Sequence, residues 1–277
     1  MNALDTHRTL NDGHTIPALG YGVFKIAPDD CERAVREAID VGYRHFDTAQ
    51  IYENEAEVGR AIRASGIPRE EFFVTSKLWN PHQGRETTAK AFDDSLRALG
   101  TEYVDLFLIH WPMPKRDLYL ETWEVLQGLA AEGRARSIGV SNFLVPHLER
   151  LLAHGDVVPA VNQIELHPAH QQPSVTAFCT THAIAVEAYA PLGQGAYPLL
   201  EEPAVVEAGH AHGKTPAQVV IRWHLQRGHI VFPKTSNPAR VRENFEVFDF
   251  ALSTEQMRAI DALERGGRVS HHPDDIN

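Results

Sequence analysis

A (β/α)8 TIM barrel with an N-terminal β-hairpin is the fold class this sequence predicts, and three observations carry it. Eight short apolar runs alternate with helical patterns along the 277 residues. Runs of that kind are strands buried on both faces, and helices between them imply parallel βαβ units. The chain is 43% hydrophobic and has no Pro/Gly/Ser-rich linker, so residues 1–277 are expected to form one barrel domain around one core. The competing doubly wound sheet opens with G-x-G-x-x-G after its first strand. Here GYG at 20–22 leads into VFKIAPDD, and the later PLGQG does not match either.

The elements follow in order. RTLND before Gly13 and HTIPAL after it predict a hairpin, because Asn-Asp-Gly adopts turn conformations other residues resist. YGVF precedes a helix from Asp29 with Ala34, Val35, Ala38 and Ile39 on one face, and RHFDTA precedes a helix over 55–64. FFVTSKL precedes a helix with Thr88, Phe92, Ser95, Leu96 and Leu99 on one stripe. VDLFLIHW, ARSIGV, AVNQIE, AIAVEAYA and HIVFPKT complete the eight. Thr215 can cap a helix with Pro216 at its first position and Val219, Val220 and Trp223 in its buried stripe.

Composition removes several classes of function. A formal net charge of −11 repels polyphosphate and acidic headgroups, which disfavours nucleic acid and membrane partners. Two cysteines, Cys31 and Cys179, are too far apart in sequence to suggest a metal knuckle or disulfide framework. No apolar run approaches the ~18 residues of a span, and MNALDTHRTLNDG lacks a signal-peptide core, so a cytoplasmic protein is expected.

In a barrel the chemistry sits at the C-terminal strand ends. Those ends are polar or aromatic almost every time: Asp47, Lys77, His110, Ser141 with Asn142, Gln163, Tyr189 and Lys234. The successive intervals from Asp47 to Lys77, from Lys77 to His110 and from His110 to Ser141 are 30, 33 and 31 residues, one βαβ unit each, so these side chains should surround one axis. Asp47, Lys77 and His110 with Tyr52 form a plausible proton-transfer set. An ammonium beside a phenol favours phenolate and lowers its pKa, and Asp47 would keep Lys77 charged and oriented. A neutral His110 could donate to a carbonyl oxygen. The same residues also read as a structural ion pair and a loop tyrosine. His167, His170, His271 and His272 fit surface or capping roles better than metal ligation, and no metal is expected. GVSNF lacks the second glycine of a serine-hydrolase elbow. Phe24, Trp79 and Trp111 fall beside the strand ends and could wall a pocket for a small organic substrate.

GYRHFDTAQIYENEAEVG, VVPAVNQIELHP and VFPKTSNPARVRENFEVFDF closely resemble the three signature regions of the aldo-keto reductases, and the similarity runs from the hairpin to near the C-terminus. GYGVFK, HWP, GVSNF, VPHLERLL, PLGQG and HGKTPAQ resemble the compact bacterial 2,5-diketo-D-gluconate reductases within that family. The resemblance implies Tyr52 as general acid, Lys77 and Asp47 as the pair that lowers its pKa, and His110 as the residue that orients the carbonyl. It implies that Tyr189 stacks on a nicotinamide whose carboxamide is held by Ser141, Asn142 and Gln163. Gly22, Val23, Pro191, Leu192, Gly193 and Gln194 are implied along the rest of the cofactor, with Glu243 and Asn244 at its adenosine end.

NADPH/NADP+ is the implied cofactor, because Lys234 and Arg240 with Thr235, Ser236 and Asn237 offer cations and donors suited to a 2′-phosphate. Asn237 stands where the subgroup often carries an arginine, so discrimination against NADH should be weaker. The implied activity is reduction of aldehyde or ketone carbonyls by hydride transfer, in a monomer, with Phe24, Trp79, His110 and Trp111 against the substrate. Keto sugars and acids, methylglyoxal, diketones and aromatic aldehydes all remain open. Two other readings stand beside it: an NADPH-binding regulatory protein of the same fold, and an aldolase using Lys77 as a Schiff-base amine.

Overall fold

The computed structural model describes residues 6–276. Met1–Asp5, the start of the segment expected to lack a signal-peptide core, lie outside the described residues. The hairpin pairs β1 (His7–Thr9) with β2 (Thr15–Pro17), antiparallel, with Arg8 opposite Ile16. Gly13 takes φ 89° in the connecting loop, a conformation open to glycine at little cost.

Eight parallel strands follow: β3 (Tyr21–Gly22), β4 (His45–Asp47), β5 (Phe73–Leu78), β6 (Val104–Ile109), β7 (Ala135–Ser141), β8 (Val161–Glu165), β9 (Ala185–Tyr189) and β10 (Ile230–Val231). Each pairs with its sequence neighbour. A parallel bridge between Leu19 and Val231 joins the two outermost strands, with Gly20 N donating to the Val231 carbonyl at 3.0 Å and Val231 N to Ala18 at 2.9 Å. The sheet thereby closes into a barrel. The first and last strands are shorter than the runs YGVF and HIVFPKT suggest, and at this seam the ring of Phe232 lies where a side chain at Gly20 would stand.

The helices α1 (Pro28–Val41), α2 (Glu55–Ala64), α3 (Arg85–Leu99), α4 (Tyr119–Ala131), α5 (Val145–His154) and α6 (Pro173–Thr181) each follow a strand. β9 is followed by two, α7 (Pro203–His212) and α8 (Pro216–Gln226), and β10 by α9 (Pro238–Phe245) and α10 (Thr254–Asp261). The predicted stripes of α1 and α3 are the buried ones. α8 starts on the predicted Thr215 cap, whose hydroxyl accepts from Gln218 N while the Gln218 side chain returns to Thr215 N.

Strand alternation divides the core in two. Val74, Phe107, Ile109 and Val140 face the helices. Phe73, Leu106, Leu108, Val161, Ile230 and Phe232 pack inside the barrel against Leu10 and Ile16 of the hairpin segment, which plugs its N-terminal end. Above that plug the inward positions turn polar: His45, Asp47, Lys77, Gln163 and Glu187 are all buried. No helix of the described residues is long and apolar enough to cross a membrane.

Candidate active site

Asp47 is the last residue of β4 and Lys77 lies near the end of β5, so both project from neighbouring strands toward the same end of the barrel. The Lys77 Nζ donates to both Asp47 carboxylate oxygens, at 2.7 and 2.8 Å, and to the Thr48 carbonyl at 2.9 Å. Tyr52 ends a short 3-10 turn just after β4, and its hydroxyl stands 3.5 Å from the same nitrogen. His110 follows β6 with its ring centroid 5.8 Å from that of Tyr52. These four side chains meet at one place, so the loop-tyrosine and isolated-ion-pair readings lose their ground.

The electrostatics follow from burial. Dehydration acts first on Lys77 and disfavours its charge, but Asp47 and the Tyr52 oxygen outweigh it and leave the ammonium pKa above its ordinary value. A Schiff-base lysine needs the opposite, which argues against the aldolase reading. Burial raises the Tyr52 phenol pKa, Lys77 opposes it, and Asp47 adds to the rise. The net shift is upward, a correction to the lowering that the ammonium alone predicts; the pocket is drier than sequence spacing reveals. Burial, then Lys77, hold His110 well below the usual histidine range, so its ring is neutral. Its Nδ1 is buried without a partner among the described residues.

Residues expected against a nicotinamide form one connected set. Asn142, at the end of β7 with φ 65°, accepts from the Tyr189 hydroxyl at 2.7 Å and donates to the His110 carbonyl at 3.0 Å. Ser141 Oγ donates to the Gln163 carbonyl at 2.9 Å. Gln163 turns its Nε2 inward, to Asp47 Oδ2 at 2.8 Å and Glu187 Oε2 at 2.9 Å. With both amide protons engaged, Gln163 can offer a carboxamide only its Oε1. Positive φ at Lys25, Glu53, Met113, Asn142, Ala190 and Gln194 marks the loops around this mouth.

The loop after β10 presents the residues expected to take a 2′-phosphate. Lys234, Ser236 and Arg240 are exposed, and neither cation has an acidic partner among the described residues. That pair of unneutralised cations in an acidic protein suits a phosphate. Asn237 does another job: its Oδ1 accepts from Ala239 N at 2.9 Å and Arg240 N at 3.4 Å, capping α9. Thr235 accepts from the Tyr21 hydroxyl through its carbonyl, and Glu243 accepts from Thr215 Oγ1 at 2.6 Å. Asn244 is buried on α9. Pro191, Leu192, Gly193 and Gln194 follow β9, Gly22 ends β3 and Val23 comes directly after it, so all six also lie on the strand-end side.

Aromatic rings stand over the mouth as expected. Phe24 is exposed with its centroid 5.0 Å from Tyr52, while Trp79 and Trp111 lie 5.7 and 6.4 Å from His110. The C-terminal segment comes closer than its shortness suggests. Val269 N and Ser270 N donate to the two Glu165 oxygens at 2.6 and 2.7 Å, and Gly267 N to the Ala169 carbonyl at 2.8 Å. Burial pushes the Glu165 carboxyl up, but His167 and the two tail amides pull it below the usual range. This strap covers His167 and His170, which are buried and not on the surface as expected, whereas His271 is exposed and His272 caps the turn at Asp274.

Three site residues escaped the sequence reading. Glu187 sits in the middle of an apolar-looking strand run, Glu165 is two residues past Gln163, and Asn54 is buried between loops. The Asn54 amide donates to the Val23 and Ile26 carbonyls and its Oδ1 accepts from Thr48, tying the Tyr52 turn to the Phe24 loop. A charged residue at an inward parity on a barrel strand is the signal that identifies Glu187 and Glu165.

Residues 18–265 match the aldo/keto reductase family model. An aldo-keto reductase of Mycolicibacterium smegmatis is 50% identical over 269 residues, 97% of each chain. A methylglyoxal reductase DkgA of Yersinia pestis is 48% identical over 265 residues, 96% of this chain and 95% of that one. The crystal structure of a Gox0644 variant in complex with NADPH superposes with TM-score 0.92 at 45% identity, covering 96% of this chain and 97% of the other. With the barrel and the Asp47, Lys77, Tyr52 and His110 cluster in hand, these matches place the chain in the aldo/keto reductase family, an oxidoreductase family acting on carbonyl compounds.

Proposed function

We propose that this protein reduces a small aldehyde or ketone to an alcohol with Tyr52 as the proton donor, and that residues 1–277 act as one domain and one monomer in the cytoplasm. The cofactor is NADPH, which supplies the hydride when bound. The observation that carries the proposal is the 3.5 Å approach of the Tyr52 hydroxyl to the Lys77 ammonium beside a neutral His110.

The residues divide the work as follows. Neutral His110 has one ring proton to give and directs it at the substrate oxygen, fixing the carbonyl over the Tyr52 hydroxyl. As negative charge develops on that oxygen, the phenol transfers its proton to it. Lys77 stabilises the phenolate left behind, and Asp47 holds the ammonium in place and charged. A phenol whose pKa is raised by burial stays protonated at neutral pH, the form a reductase needs. Ser141, Asn142, Gln163 and Tyr189 would hold the nicotinamide; Gly22, Val23, Pro191, Leu192, Gly193 and Gln194 would follow the rest of the cofactor. Lys234, Arg240, Thr235, Ser236 and Asn237 would meet the 2′-phosphate, with Glu243 and Asn244 toward the adenosine.

Phe24, Trp79 and Trp111 suit an uncharged or weakly polar group beside the carbonyl. Methylglyoxal and related dicarbonyls are the first substrates to try, given the reductase of that name among the relatives. NADPH oxidation measured over keto acids, ketoses, dicarbonyls and aromatic aldehydes tests the function, and ranks substrates by kcat/KM. Tyr52→Phe is expected to lower turnover by at least about 100-fold while NADPH binding stays within about twofold. Retained turnover overturns the role given to Tyr52, and NADPH binding with no carbonyl reduced in the wild type favours the regulatory reading.

A further inference from the structure

One fully buried acid lies beneath the proposed proton donor. Glu187 occupies an inward position of β9, paired in register with Gln163 of β8 on one side and Ile230 of β10 on the other. Its Oε2 accepts from Gln163 Nε2 at 2.9 Å, and the same nitrogen donates to Asp47 Oδ2 at 2.8 Å. A chain of direct contacts thus runs from Glu187 through one amide to Asp47, from Asp47 to Lys77, and from Lys77 to the Tyr52 hydroxyl. The other oxygen of Glu187, Oε1, is buried with no partner among the described residues.

The charge count in this space is uneven. The ionisable groups acting on Glu187 are Asp47 from β4 and Lys77 from β5; Gln163 is neutral, β10 presents Ile230, and His45 further down β4 is held uncharged, its pKa pushed to about 3 by burial. Two carboxylates sharing one amide would face a single ammonium. A bare carboxylate oxygen in a dry interior is costly, and a second negative charge across an amide adds repulsion.

Resting on the carbonyl-reduction reading above, we propose that Glu187 is a positioning residue for that reaction: through Gln163 it fixes the carboxylate of Asp47, and by staying uncharged it leaves Lys77 free to stabilise the Tyr52 phenolate. Burial, then the repulsion of Asp47, push its carboxyl up to about 8, against the smaller pulls of Gln163 and Lys77. Ionisation of Glu187 at alkaline pH adds an anion near Lys77, weakens its hold on the phenolate and slows proton donation. Atoms that touch the substrate stay as they are; only the field behind them changes.

The test compares kcat/KM for methylglyoxal and NADPH between about pH 6 and about pH 10 in the wild type and in Glu187→Gln, which keeps the size and polarity of the side chain but cannot ionise. The wild type is expected to show an alkaline fall centred near pH 8, where the Glu187 carboxyl is pushed to about 8, that is missing from Glu187→Gln, with the two within about threefold of each other at the acid end. Glu187→Leu, which strands the second amide proton of Gln163 and frees Asp47, is expected to lower kcat by roughly tenfold or more, with a smaller change in NADPH affinity through Gln163. The infrared stretch of a protonated buried carboxyl, present at neutral pH in the wild type, lost on alkalinisation and missing from Glu187→Gln, reads the charge state of Glu187 apart from that of the other buried glutamates. A wild-type enzyme that turns over while Glu187→Gln follows its profile, or that lacks this band at neutral pH, overturns the inference alone. A wild type that reduces no carbonyl overturns the functional reading, and this inference with it.

Discussion

Lys234 and Arg240 illustrate how much a single cation depends on what surrounds it. Many arginines of this protein sit beside acids, as Arg33 does with Asp30 and Glu37, and such exposed pairs contribute little. Lys234 and Arg240 have no acid beside them among the described residues, so their fields are available to an incoming phosphate. Replacing both by alanine is expected to weaken NADPH by roughly 10- to 100-fold and NADH by less than about threefold, read by fluorescence titration with each nucleotide. Equal losses would show that the cations do not meet the 2′-phosphate. At this scale the sequence was most legible: Asp47, Lys77, His110 and Tyr52 come together as their spacing implies. Glu187 was not, because a lone acid within VEAY gives no hint of inward parity until the strand's partners are known.

Among the elements, α9 shows why one difference from the family pattern is tolerated. The family resemblance leads one to expect an arginine at Asn237, and the structure gives the asparagine a local task, accepting the amides of Ala239 and Arg240 at the start of the helix. Asn237→Arg is therefore expected to exchange stability for affinity. Loss of the cap should cost about 1 kcal/mol in urea denaturation, while the added cation tightens NADPH several-fold. An unchanged denaturation midpoint would remove the capping argument. Helix positions were readable for the same local reason: Thr215 with Gln218, and the stripe of Ala34, Val35, Ala38 and Ile39, are signals within a few residues. The strap from Glu165 to Val269 and Ser270 was not readable, since its partners stand about a hundred residues apart and neither end is marked by residue type.

The molecule as a whole is held closed at one seam, between Leu19 and Val231. A Cβ on Gly20 would stand 2.5 Å from the Phe232 ring, which cannot retreat without leaving the plug under the site. Gly20→Ala should cost roughly 1–3 kcal/mol and reduce activity by displacing β10 and its loop, measured as a lower Tm with weaker NADPH binding. Wild-type-like Tm would mean that the seam yields easily. Stability should also fall in acid. His45 and His229, each pushed by burial to about 3, stay neutral in the fold, whereas unfolded histidines protonate near their ordinary value of 6.5. The unfolded chain binds more protons between those values, so their contribution is complete above about pH 6.5 and is lost on descent toward about pH 3. A Tm that does not drop across that interval would contradict the neutral interior.

The stopper formed by Leu10 and Ile16 against Phe73, Leu106 and Leu108 has one more consequence. With its base corked by these side chains, the barrel meets reactants at the strand-end mouth, so in the proposed reduction Tyr52 would recover each spent proton by the way the alcohol departs. Under that proposal, recharging the donor and emptying the site would fall together in time, and a bulky product lingering at the threshold would leave the donor discharged.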